Sequence, residues 1–231
     1  MQIQTPGSKR QSGLGAFRDR IAFRLKPPHW PDILTDELTF GTEANDRFRS
    51  LVQSSTTYLE FGSGSSTLHA AAAGGSFVSI DSDAGFLSAV TDMCNIEPRA
   101  HSEGTFVAVD IGRTGPWGVP SRRRANPRRV AKWAEYPMAP WNTMGKNFRA
   151  DVVLVDGRFR VACGLAVVVM QADADWTLLF DDFADRSEYE PMREFATLVA
   201  MHGRMAEFRP APSLDHSSAR SAFDEYAGDW R

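Results

Sequence analysis

Short apolar runs and longer stretches of helical character alternate along most of the chain. The short runs suit strands, because they are rich in Val, Leu, Phe and Thr and most of them end in aspartate. The longer stretches are Ala-rich or repeat apolar residues at helical spacing. The predicted strands are 57–61, 77–80, 105–109, 151–155, 176–180 and 204–209. The predicted helices are 42–54, 65–73, 83–92, 160–173 and 188–199.

This alternation predicts the fold class. Strands that alternate with helices require crossover connections, so the sheet is predicted to be largely parallel. The run from Val152 to Val155 is apolar throughout, which suits a sheet that is covered on both faces. We therefore expect an α/β fold of the Rossmann-like, doubly wound type, with a mostly parallel sheet, helices on both faces and one long insertion. The 231 residues, 42% apolar and 24% charged, are typical of one globular domain.

Two segments fall outside the alternation. Residues 1–41 form an N-terminal extension, in which apolar residues recur at four-residue spacing over 17–26 and predict a short basic amphipathic helix. Such a helix either packs on the domain or makes a weak peripheral contact with an anionic membrane surface or a partner. Residues 111–149 interrupt the domain of residues 42–231 with a stretch rich in Gly, Pro, Trp and Arg. An insertion of this length is a lid or binding region, or else mobile.

Composition favours a cytoplasmic protein. The formal net charge of −3 gives no general argument for nucleic-acid binding. The two cysteines, Cys94 and Cys163, do not form a CxxC pair, and the histidines lack zinc-site spacing. No apolar run approaches the length of a membrane span, and the polar residues 1–11 do not resemble a secretory signal.

A glycine-rich turn joins the first predicted strand to the next helix. Its two glycines let the backbone turn sharply and let a ligand approach it closely. The first N–H groups of the following helix can bind polar ligand atoms. An acid, Glu60, precedes the turn, and Asp81 ends the next strand, where a carboxylate can accept hydrogen bonds from both hydroxyls of a ribose. The candidate cofactor-binding residues are Glu60, Gly62, Ser63, Gly64, Ser65 and Asp81.

The turn with its preceding acid resembles the first motif of class I S-adenosylmethionine-dependent methyltransferases, an acidic residue followed by GxGxG. Residues 60–66 match this motif except at the last position, where Ser66 stands in place of glycine. A carboxylate at Glu60 would repel a pyrophosphate but suits the positive charge of S-adenosylmethionine. The resemblance covers about residues 57–182. It implies S-adenosylmethionine as the cofactor, with Glu60 and the turn around its methionine part and Asp81 on its ribose.

Two other functions remain open. A nicotinamide-dependent oxidoreductase uses the same fold and turn, but Glu60 counts against it, as does Thr67 in the place of the third glycine of GxGxxG. A non-catalytic, methyltransferase-like module would serve a partner through the basic helix and the insertion, and would need no cofactor. The sequence does not indicate an oligomeric state.

Two of the strands that end in aspartate bring three carboxylates together. Asp156 follows strand 151–155, and the pair Asp181 and Asp182 follows strand 176–180. Ligands bind at the carboxyl ends of the strands in open parallel sheets, and right-handed crossovers can place these two ends side by side. Three carboxylates, with waters completing an octahedron, suit Mg²⁺.

This arrangement resembles the metal-dependent O-methyltransferases of the macrolide and aminocoumarin sugar type, which bind metal through an Asp after the fourth strand and an Asp-Asp pair after the fifth. The resemblance implies Asp156, Asp181 and Asp182 as Mg²⁺ ligands, with the metal activating the acceptor hydroxyl and Asp156 taking its proton. Arg158 and Arg160 lie beside these acids. They can instead pair with the aspartates without a metal, or bind an anionic group of the acceptor. Asp156 and Arg158 are therefore the candidate catalytic residues.

The insertion is the candidate acceptor region. Its aromatic residues among arginines are Trp117, Trp133, Tyr136 and Trp141. This combination suits a sugar, an aromatic or a phosphate-bearing acceptor, although the same side chains can equally form a small satellite core. The arginines at 122–124 and 128–129 belong to no recognisable RNA-binding module, so a small-molecule acceptor is favoured over nucleic acid. The predicted function is methyl transfer from S-adenosylmethionine to a small-molecule hydroxyl, such as one on a sugar or glycan, with Mg²⁺ assistance as an option.

Overall fold

The computed structural model describes residues 34–96, 103–115, 118–120 and 127–231. Three features predicted from the sequence lie outside these residues, namely the basic helix over 17–26, Trp117 and the arginines at 122–124. None of the described helices combines the length and the apolar composition that crossing a membrane requires.

A seven-stranded sheet forms the centre of the described fold. Its strands are β1 (Thr57–Phe61), β2 (Ser76–Asp81), β3 (Gly104–Ala108), β4 (Val152–Val155), β5 (Thr177–Phe180), β6 (Ala196–His202) and β7 (Met205–Pro210). They lie side by side in the order β3-β2-β1-β4-β5-β7-β6. Strands β1 to β5 pair in parallel, and β7 pairs antiparallel with both β5 and β6. The mostly parallel sheet predicted from the sequence is confirmed.

Helices cover both faces of the sheet. They are α1 (Thr42–Ser54), α2 (Ser65–Ala73), α3 (Ala84–Ile96), α4 (Pro127–Trp133), α5 (Glu135–Met144), α6 (Arg160–Met170), α7 (Met192–Phe195) and α8 (His216–Tyr226). One buried cluster joins α1 and α2 to one face, and a larger cluster joins α5, α6 and α8 to the other. Strand β4 contributes to both clusters, because its side chains alternate between the two faces of the sheet. Val152 and Leu154 belong to the first cluster, and Val153 and Val155 belong to the second. The α/β, doubly wound fold class is therefore confirmed.

Most predicted elements lie where the sequence pattern puts them. The bounds of α1, α2 and β1 are as predicted, and those of β2, β3, β4, β5 and β7 differ by at most one residue at either end. Helix α3 continues four residues beyond its predicted end at residue 92, and α6 stops three residues before its predicted end at residue 173. The strands are well predicted because β4 and β5 are buried along their whole length, which makes them apolar throughout.

The helix predicted over residues 188–199 is wrong. A single 3₁₀ turn and the one-turn helix α7 occupy its first part, and the edge strand β6 begins at Ala196. Residues in β6 alternate between more and less exposed positions, with Thr197, Val199 and Met201 outward, which is the period of a strand. Hydrogen bonds to β7 hold this segment, and no pattern within the segment itself reveals that partner.

Helix α8 has no counterpart among the sequence predictions. Asp215 caps its N-terminus, where the carboxylate accepts hydrogen bonds from the backbone N–H groups of Ser217 at 2.9 Å and Ser218 at 3.3 Å. Ala219 and Phe223, four residues apart, are buried on its inner face. The helix packs against α6 and extends the larger cluster.

The packed domain also begins earlier than the predicted boundary at residue 42. Leu34, Leu38 and Phe40 are buried, and the last two join the cluster beneath α1. The side-chain oxygen of Asn45 in α1 accepts a hydrogen bond from the Phe40 N–H at 3.1 Å, which fixes this entry segment on the helix. Leu38 and Phe40 of the predicted extension thus belong to the core of the domain.

Candidate active site

The order of the strands reverses between β1 and β4, which are neighbours in the sheet. In such folds a crevice is expected outside the carboxyl ends of these two strands. Strand β1 lies between β2 and β4, and the chain runs outward to β2 and β3 on one side and to β4 and β5 on the other. Ligands bind at the carboxyl ends of the strands at such a switch point. The glycine-rich turn follows β1, Asp81 ends β2, Asp156 follows β4, and Asp181 follows β5. The structure therefore brings the predicted site residues to one edge of the sheet.

The floor of the crevice is a close contact between two glycines. Gly62 has a φ of +100°, and a Cβ atom there would lie 2.6 Å from the backbone nitrogen of Gly157. The N–H of Gly157 donates to the carbonyl of Phe61 at 2.6 Å, and the N–H of Gly62 donates to the carbonyl of Ile80 at 2.8 Å. Gly62 is thus required both by its left-handed conformation and by the backbone packed against it.

Gly64, the second glycine of the turn, faces open space. A Cβ atom there would meet no atom within 4 Å. The N–H of Gly64 donates to the Thr67 hydroxyl at 2.9 Å. The next two N–H groups, of Ser65 and Ser66, begin α2 and have no carbonyl within the helix to bind. The combination of open space and a helix start suits the polar atoms of a ligand.

Asp81 stands beside this opening and is already held in place. Its Oδ2 accepts a hydrogen bond from the Ser63 N–H at 3.0 Å, and its Oδ1 accepts one from the Asp83 N–H at 2.8 Å. Burial raises the pKa of Asp81 to about 6, although these hydrogen bonds act in the opposite direction. Each carboxylate oxygen can accept more than one hydrogen bond, so Asp81 can also receive the hydroxyls of a ribose.

Glu60 does not face the crevice. Its side chain is completely buried and accepts hydrogen bonds from four hydroxyl groups. The donors are Tyr58 at 2.9 Å, Ser66 at 2.7 Å, Ser79 at 2.5 Å and Thr67. Burial raises the pKa of Glu60, and the hydroxyls partly oppose this. The expectation that Glu60 contacts the cofactor is therefore corrected: its carboxylate ties the start of α2 to β1 and β2, and it shapes the turn from behind.

The carboxylates beyond β4 and β5 lie among arginines. This aspartate–arginine cluster consists of Asp156, Asp181, Asp182, Arg160, Arg186 and Arg204. Arg204, in the turn between β6 and β7, donates two hydrogen bonds to the carboxylate of Asp181, from Nε at 3.0 Å and from Nη2 at 2.9 Å. Its Nε also lies 3.0 Å from Asp182 Oδ1. Arg186 donates to Asp182 Oδ2 at 2.9 Å.

Arg160 is buried between the ends of β4 and β5. Its guanidinium donates to the carbonyl oxygens of Gly157 at 3.0 Å, Asp181 at 2.6 Å and Asp156 at 2.9 Å. It also donates to Asp156 Oδ1 at 3.0 Å and lies 3.4 Å from Asp182 Oδ2. This one side chain thus donates hydrogen bonds to backbone carbonyls at two strand ends, and its positive charge lies close to the carboxylates of two aspartates.

A magnesium site does not fit this cluster. Among the described residues, no group of three or more His, Cys, Asp or Glu side chains is placed to hold a metal ion. Both carboxylate oxygens of Asp181 bind Arg204, Asp156 pairs with Arg160, and Asp182 pairs with Arg186. The predicted metal ligands Asp156, Asp181 and Asp182 are therefore corrected to members of an ion-pair network, the alternative that the neighbouring arginines had left open.

The two candidate catalytic residues flank Gly157 at the edge of the crevice. The side chain of Asp156 is 35% exposed. Burial raises the pKa of Asp156 to about 7, the opposing charge of Arg160 lowers it, and the negative charge of Asp181 raises it further. Arg158 is half-buried, and its pKa is lowered by burial and by the positive charge of Arg160.

Part of the insertion lies across the crevice. The N–H of Gly115 donates to the carbonyl of Val119 at 2.8 Å, so these two residues of the insertion lie side by side. A Cβ atom on Gly118 would lie 3.1 Å from the Ser82 hydroxyl and 3.7 Å from Arg158 Cγ. Gly118 therefore lies close to the segments that follow β2 and β4, on either side of the glycine-rich turn.

The described aromatic residues of the insertion do not line an acceptor surface. Trp133, Tyr136 and Trp141 are buried in the larger cluster, and their polar atoms donate to backbone carbonyls. Tyr136 also lies under the crevice floor, since a Cβ atom on Gly157 would come within 2.7 Å of its hydroxyl oxygen. These three side chains therefore form part of the core, which the sequence had allowed as the alternative to acceptor binding.

Sequence reasoning missed three residues of this site. Gly157 directly follows Asp156 at the end of a predicted strand. A glycine at such a position can mark a place where another backbone segment packs closely, so the sequence could have indicated its role. Arg186 and Arg204 carried no such signal. Arg204 lies 23 residues from Asp181 and reaches it only because β6 and β7 form a hairpin beside β5.

Comparison with known proteins places the chain in a family. No protein-family model and no curated protein sequence matches it. A solved structure of a methyltransferase-like protein from Silicibacter pomeroyi DSS-3 has 33% sequence identity and a TM-score of 0.73, over 84% of this chain and 97% of that one. EvdMO1 (15% identity, TM-score 0.39, 87% of this chain and 48% of that one) and a dimethyladenosine transferase from Plasmodium falciparum (14%, 0.39, 83% and 68%) are more distant.

The Silicibacter similarity extends over most of the two chains. The two more distant structures contribute nothing further at their level of similarity. The chain belongs to the family of methyltransferase-like proteins that includes the Silicibacter pomeroyi protein.

Proposed function

We propose that this protein transfers a methyl group from S-adenosylmethionine to a hydroxyl group of a small molecule, such as a sugar or glycan. One observation carries the proposal: the opening at Gly64, between the start of α2 and the carboxylate of Asp81, at the switch point of the sheet. Membership of a methyltransferase-like family supports it.

The glycine-rich turn and Asp81 would hold the cofactor. The space over Gly64 admits a ligand against the backbone, and the N–H groups of Ser65 and Ser66 can bind its carboxylate. Asp81 is fixed by the Ser63 N–H and would accept hydrogen bonds from the ribose hydroxyls. Glu60 contributes indirectly, because its four hydroxyl partners hold the turn in shape.

Asp156 and Arg158 would act at the acceptor. When bound, S-adenosylmethionine would supply an electrophilic methyl group on a sulfonium, and the electron pair of the broken carbon–sulfur bond would return to sulfur as the acceptor oxygen takes the methyl group. The acceptor's hydroxyl proton must leave, and Asp156, whose side chain is partly exposed beside Gly157, would receive it. Arg158, half-buried next to Gly118 of the insertion, would orient the acceptor. Because the aspartates are paired with arginines, no step is assigned to Mg²⁺.

The nicotinamide alternative is weakened by Thr67. In dinucleotide-binding turns, the third glycine allows close packing of helix and strand. Thr67 occupies this position here, is completely buried, and its hydroxyl donates a hydrogen bond to Glu60. At the position where a dinucleotide-binding motif has a glycine, this turn therefore has a side chain that takes part in a hydrogen-bond network.

Thermal unfolding with a ligand panel tests the cofactor class. We expect S-adenosylhomocysteine and S-adenosylmethionine to raise the Tm in a saturable way, because a ligand that binds only the folded state stabilises it. NAD(H) and NADP(H) should leave the Tm unchanged. A shift with a nicotinamide alone would establish the oxidoreductase alternative, and no shift with any of these ligands would favour a non-catalytic module.

A further inference from the structure

Residues 228–231, which follow α8, lie against the start of α6, the helix that comes directly after the two candidate catalytic residues. The N–H of Phe159 donates to the carbonyl of Trp230 at 3.3 Å, and the N–H of Arg160 donates to the carbonyl of Arg231 at 3.1 Å. The first N–H groups of a helix have no partner within the helix. Two of them are satisfied here by the backbone of the 228–231 segment.

Phe159 has a backbone conformation that needs such support. Its φ of +56° lies in the left-handed region, which residues other than glycine rarely adopt. Among the described residues other than glycine, Asp182 alone shares this feature, with a φ of +58°. The two residues lie in the turns that follow β4 and β5, and strained backbone persists only where its surroundings hold it. The ring of Phe159 packs on Trp133 and Tyr136, with centroid distances of 6.0 and 5.5 Å.

The 228–231 segment is itself anchored on the domain. The indole of Trp230 is partly buried and packs against the larger cluster. A Cβ atom on Gly228 would lie 3.0 Å from Cγ1 of Val130 in α4, so the segment also touches the insertion. Arg231 folds back on Asp229, where its Nε donates to Oδ1 at 2.9 Å. The segment thus joins α4 of the insertion to the start of α6.

We propose that the 228–231 segment positions the acceptor half of the crevice, the half that carries Asp156 and Arg158, by holding the start of α6. The inference rests on the proposed function for the role of this half as the acceptor site. Trp230 is the positioning residue, because its indole anchors the segment and its carbonyl binds the N–H of the strained Phe159.

A short chain of contacts leads from the segment to the candidate catalytic residues. Arg160, whose N–H binds the segment, donates from its side chain to the carbonyl oxygens of Gly157 at 3.0 Å and Asp156 at 2.9 Å. It also donates to Asp156 Oδ1 at 3.0 Å. The carbonyl of Arg158 accepts a hydrogen bond from Sγ of Cys163, in the first turn of α6, at 3.5 Å. A shift of the start of α6 would therefore move the groups that hold Asp156 and Arg158.

The glycine-rich half of the crevice has supports of its own. The hydroxyls around Glu60 hold the turn from behind, and the N–H of Gly62 donates to the carbonyl of Ile80. We therefore expect that release of the 228–231 segment loosens the acceptor half and leaves the cofactor half unchanged.

Hydrogen exchange followed by NMR tests the inference. In Trp230→Ala, the N–H groups of Phe159 and Arg160 and the Nε–H of Arg160 should exchange at least about tenfold faster than in the wild type, because they open to water more often. The Gly62 N–H should keep its rate, and the affinity for S-adenosylhomocysteine in calorimetry should stay within about twofold. Trp230→Phe, which keeps an aromatic anchor, should restore slow exchange at Arg160.

Phe148→Ala is the matched control. Phe148 is also partly buried against the larger cluster, but it precedes β4 and so lies at the opposite end of that strand from Asp156. This variant should leave exchange of the Arg160 Nε–H unchanged. Unchanged exchange at Arg160 in Trp230→Ala, or an equal acceleration in Phe148→Ala, would overturn the inference.

A variant that ends at Gly228 provides a second test, because it removes both carbonyl acceptors. It should show the same faster exchange at Phe159 and Arg160. If neither this variant nor Trp230→Ala folds, the segment is an essential part of the core rather than a positioning element, which also contradicts the inference. Hydrogen exchange involves no cofactor, so a wild type that binds no S-adenosylhomocysteine would refute the proposed function and leave the exchange rates to decide the role of the segment.

Discussion

Each half of the crevice contains a buried carboxylate near a strand end, but the groups that stabilise the two carboxylates differ. Glu60, at β1, is surrounded by four neutral hydroxyl donors. Asp181, at β5, is bound by the guanidinium of Arg204. The first half is held by short polar side chains and leaves room over Gly64, whereas the second is a dense ionic network. A buried carboxylate at a strand end is therefore not by itself a ligand for a cofactor or a metal, since its partners decide its role.

The ionic half should be the more sensitive to loss of a charge. Arg160→Ala should lower the free energy of unfolding by about 3–5 kcal/mol, because it removes a buried guanidinium from two aspartates and takes a hydrogen-bond donor from three backbone carbonyls. Urea unfolding followed by circular dichroism measures this. Arg186→Ala is the matched control, and its loss should stay within about 1 kcal/mol because the pair with Asp182 is solvent-exposed. Equal losses for the two variants would contradict the distinction.

The glycine-rich half should be sensitive to volume at its floor. Gly62→Ala should cost about 2–3 kcal/mol, because its Cβ would lie 2.6 Å from the Gly157 nitrogen and its φ is +100°. The same urea experiment tests this prediction. Gly145→Ala is a control that has positive φ but no atom within 4 Å of the new Cβ, so it isolates the backbone effect from the clash. If Gly62→Ala loses no more stability than Gly145→Ala, the close contact is not important.

Asp81 should make cofactor binding depend on pH. Its pKa is raised to about 6, and the carboxylate accepts hydroxyl hydrogen bonds better than the neutral acid does. Affinity for S-adenosylhomocysteine should therefore rise with pH and level off above about 7, and at pH 5 it should be roughly tenfold weaker than at the plateau, because about one carboxyl in ten is then ionised. Isothermal titration calorimetry across this range gives the profile.

Asp81→Asn should bind more weakly and lose this pH dependence, so an unchanged profile in the variant would exclude Asp81 as its source. The effect on stability has the opposite sign. The folded protein binds the Asp81 proton more tightly than the unfolded chain does, so this contribution to stability is present below about pH 4 and is lost as the pH rises through about 6.

Features that depend on neighbouring residues in the chain could be predicted from the sequence. The turn from Gly62 to Ser65 lies between a strand and a helix at the predicted bounds, and Asp81 ends the adjacent strand as expected. These predictions succeed because the conformation of a turn and the end of a strand depend mainly on the residues directly beside them. The parallel pairing of β1 with β2 and with β4 agrees with the same alternation of strands and helices.

Features that depend on partners far along the chain could not be predicted in this way. The hydroxyl of Ser79 reaches Glu60 from the neighbouring strand, and Arg204 reaches Asp181 from a hairpin whose first strand looked helical. The pairing of Arg160 with the aspartates was an open alternative in the sequence, but the hydroxyl partners of Glu60 and the pairing of Arg204 with Asp181 were not foreseen. Consequently the position of the site was predictable, whereas the roles of Glu60 and Asp181 required the structure.

The central claim is that the space over Gly64 receives S-adenosylmethionine, and calorimetric titration of S-adenosylhomocysteine into the wild type and Gly64→Ala tests it most directly. A Cβ atom at this position meets no protein atom, so the variant should keep its stability within about 1 kcal/mol. The wild type should bind one equivalent, and Gly64→Ala should bind at least about tenfold more weakly, because the methyl group occupies the ligand's approach to the backbone. Absence of saturable binding to the wild type, or equal affinity in the two proteins, would contradict the account.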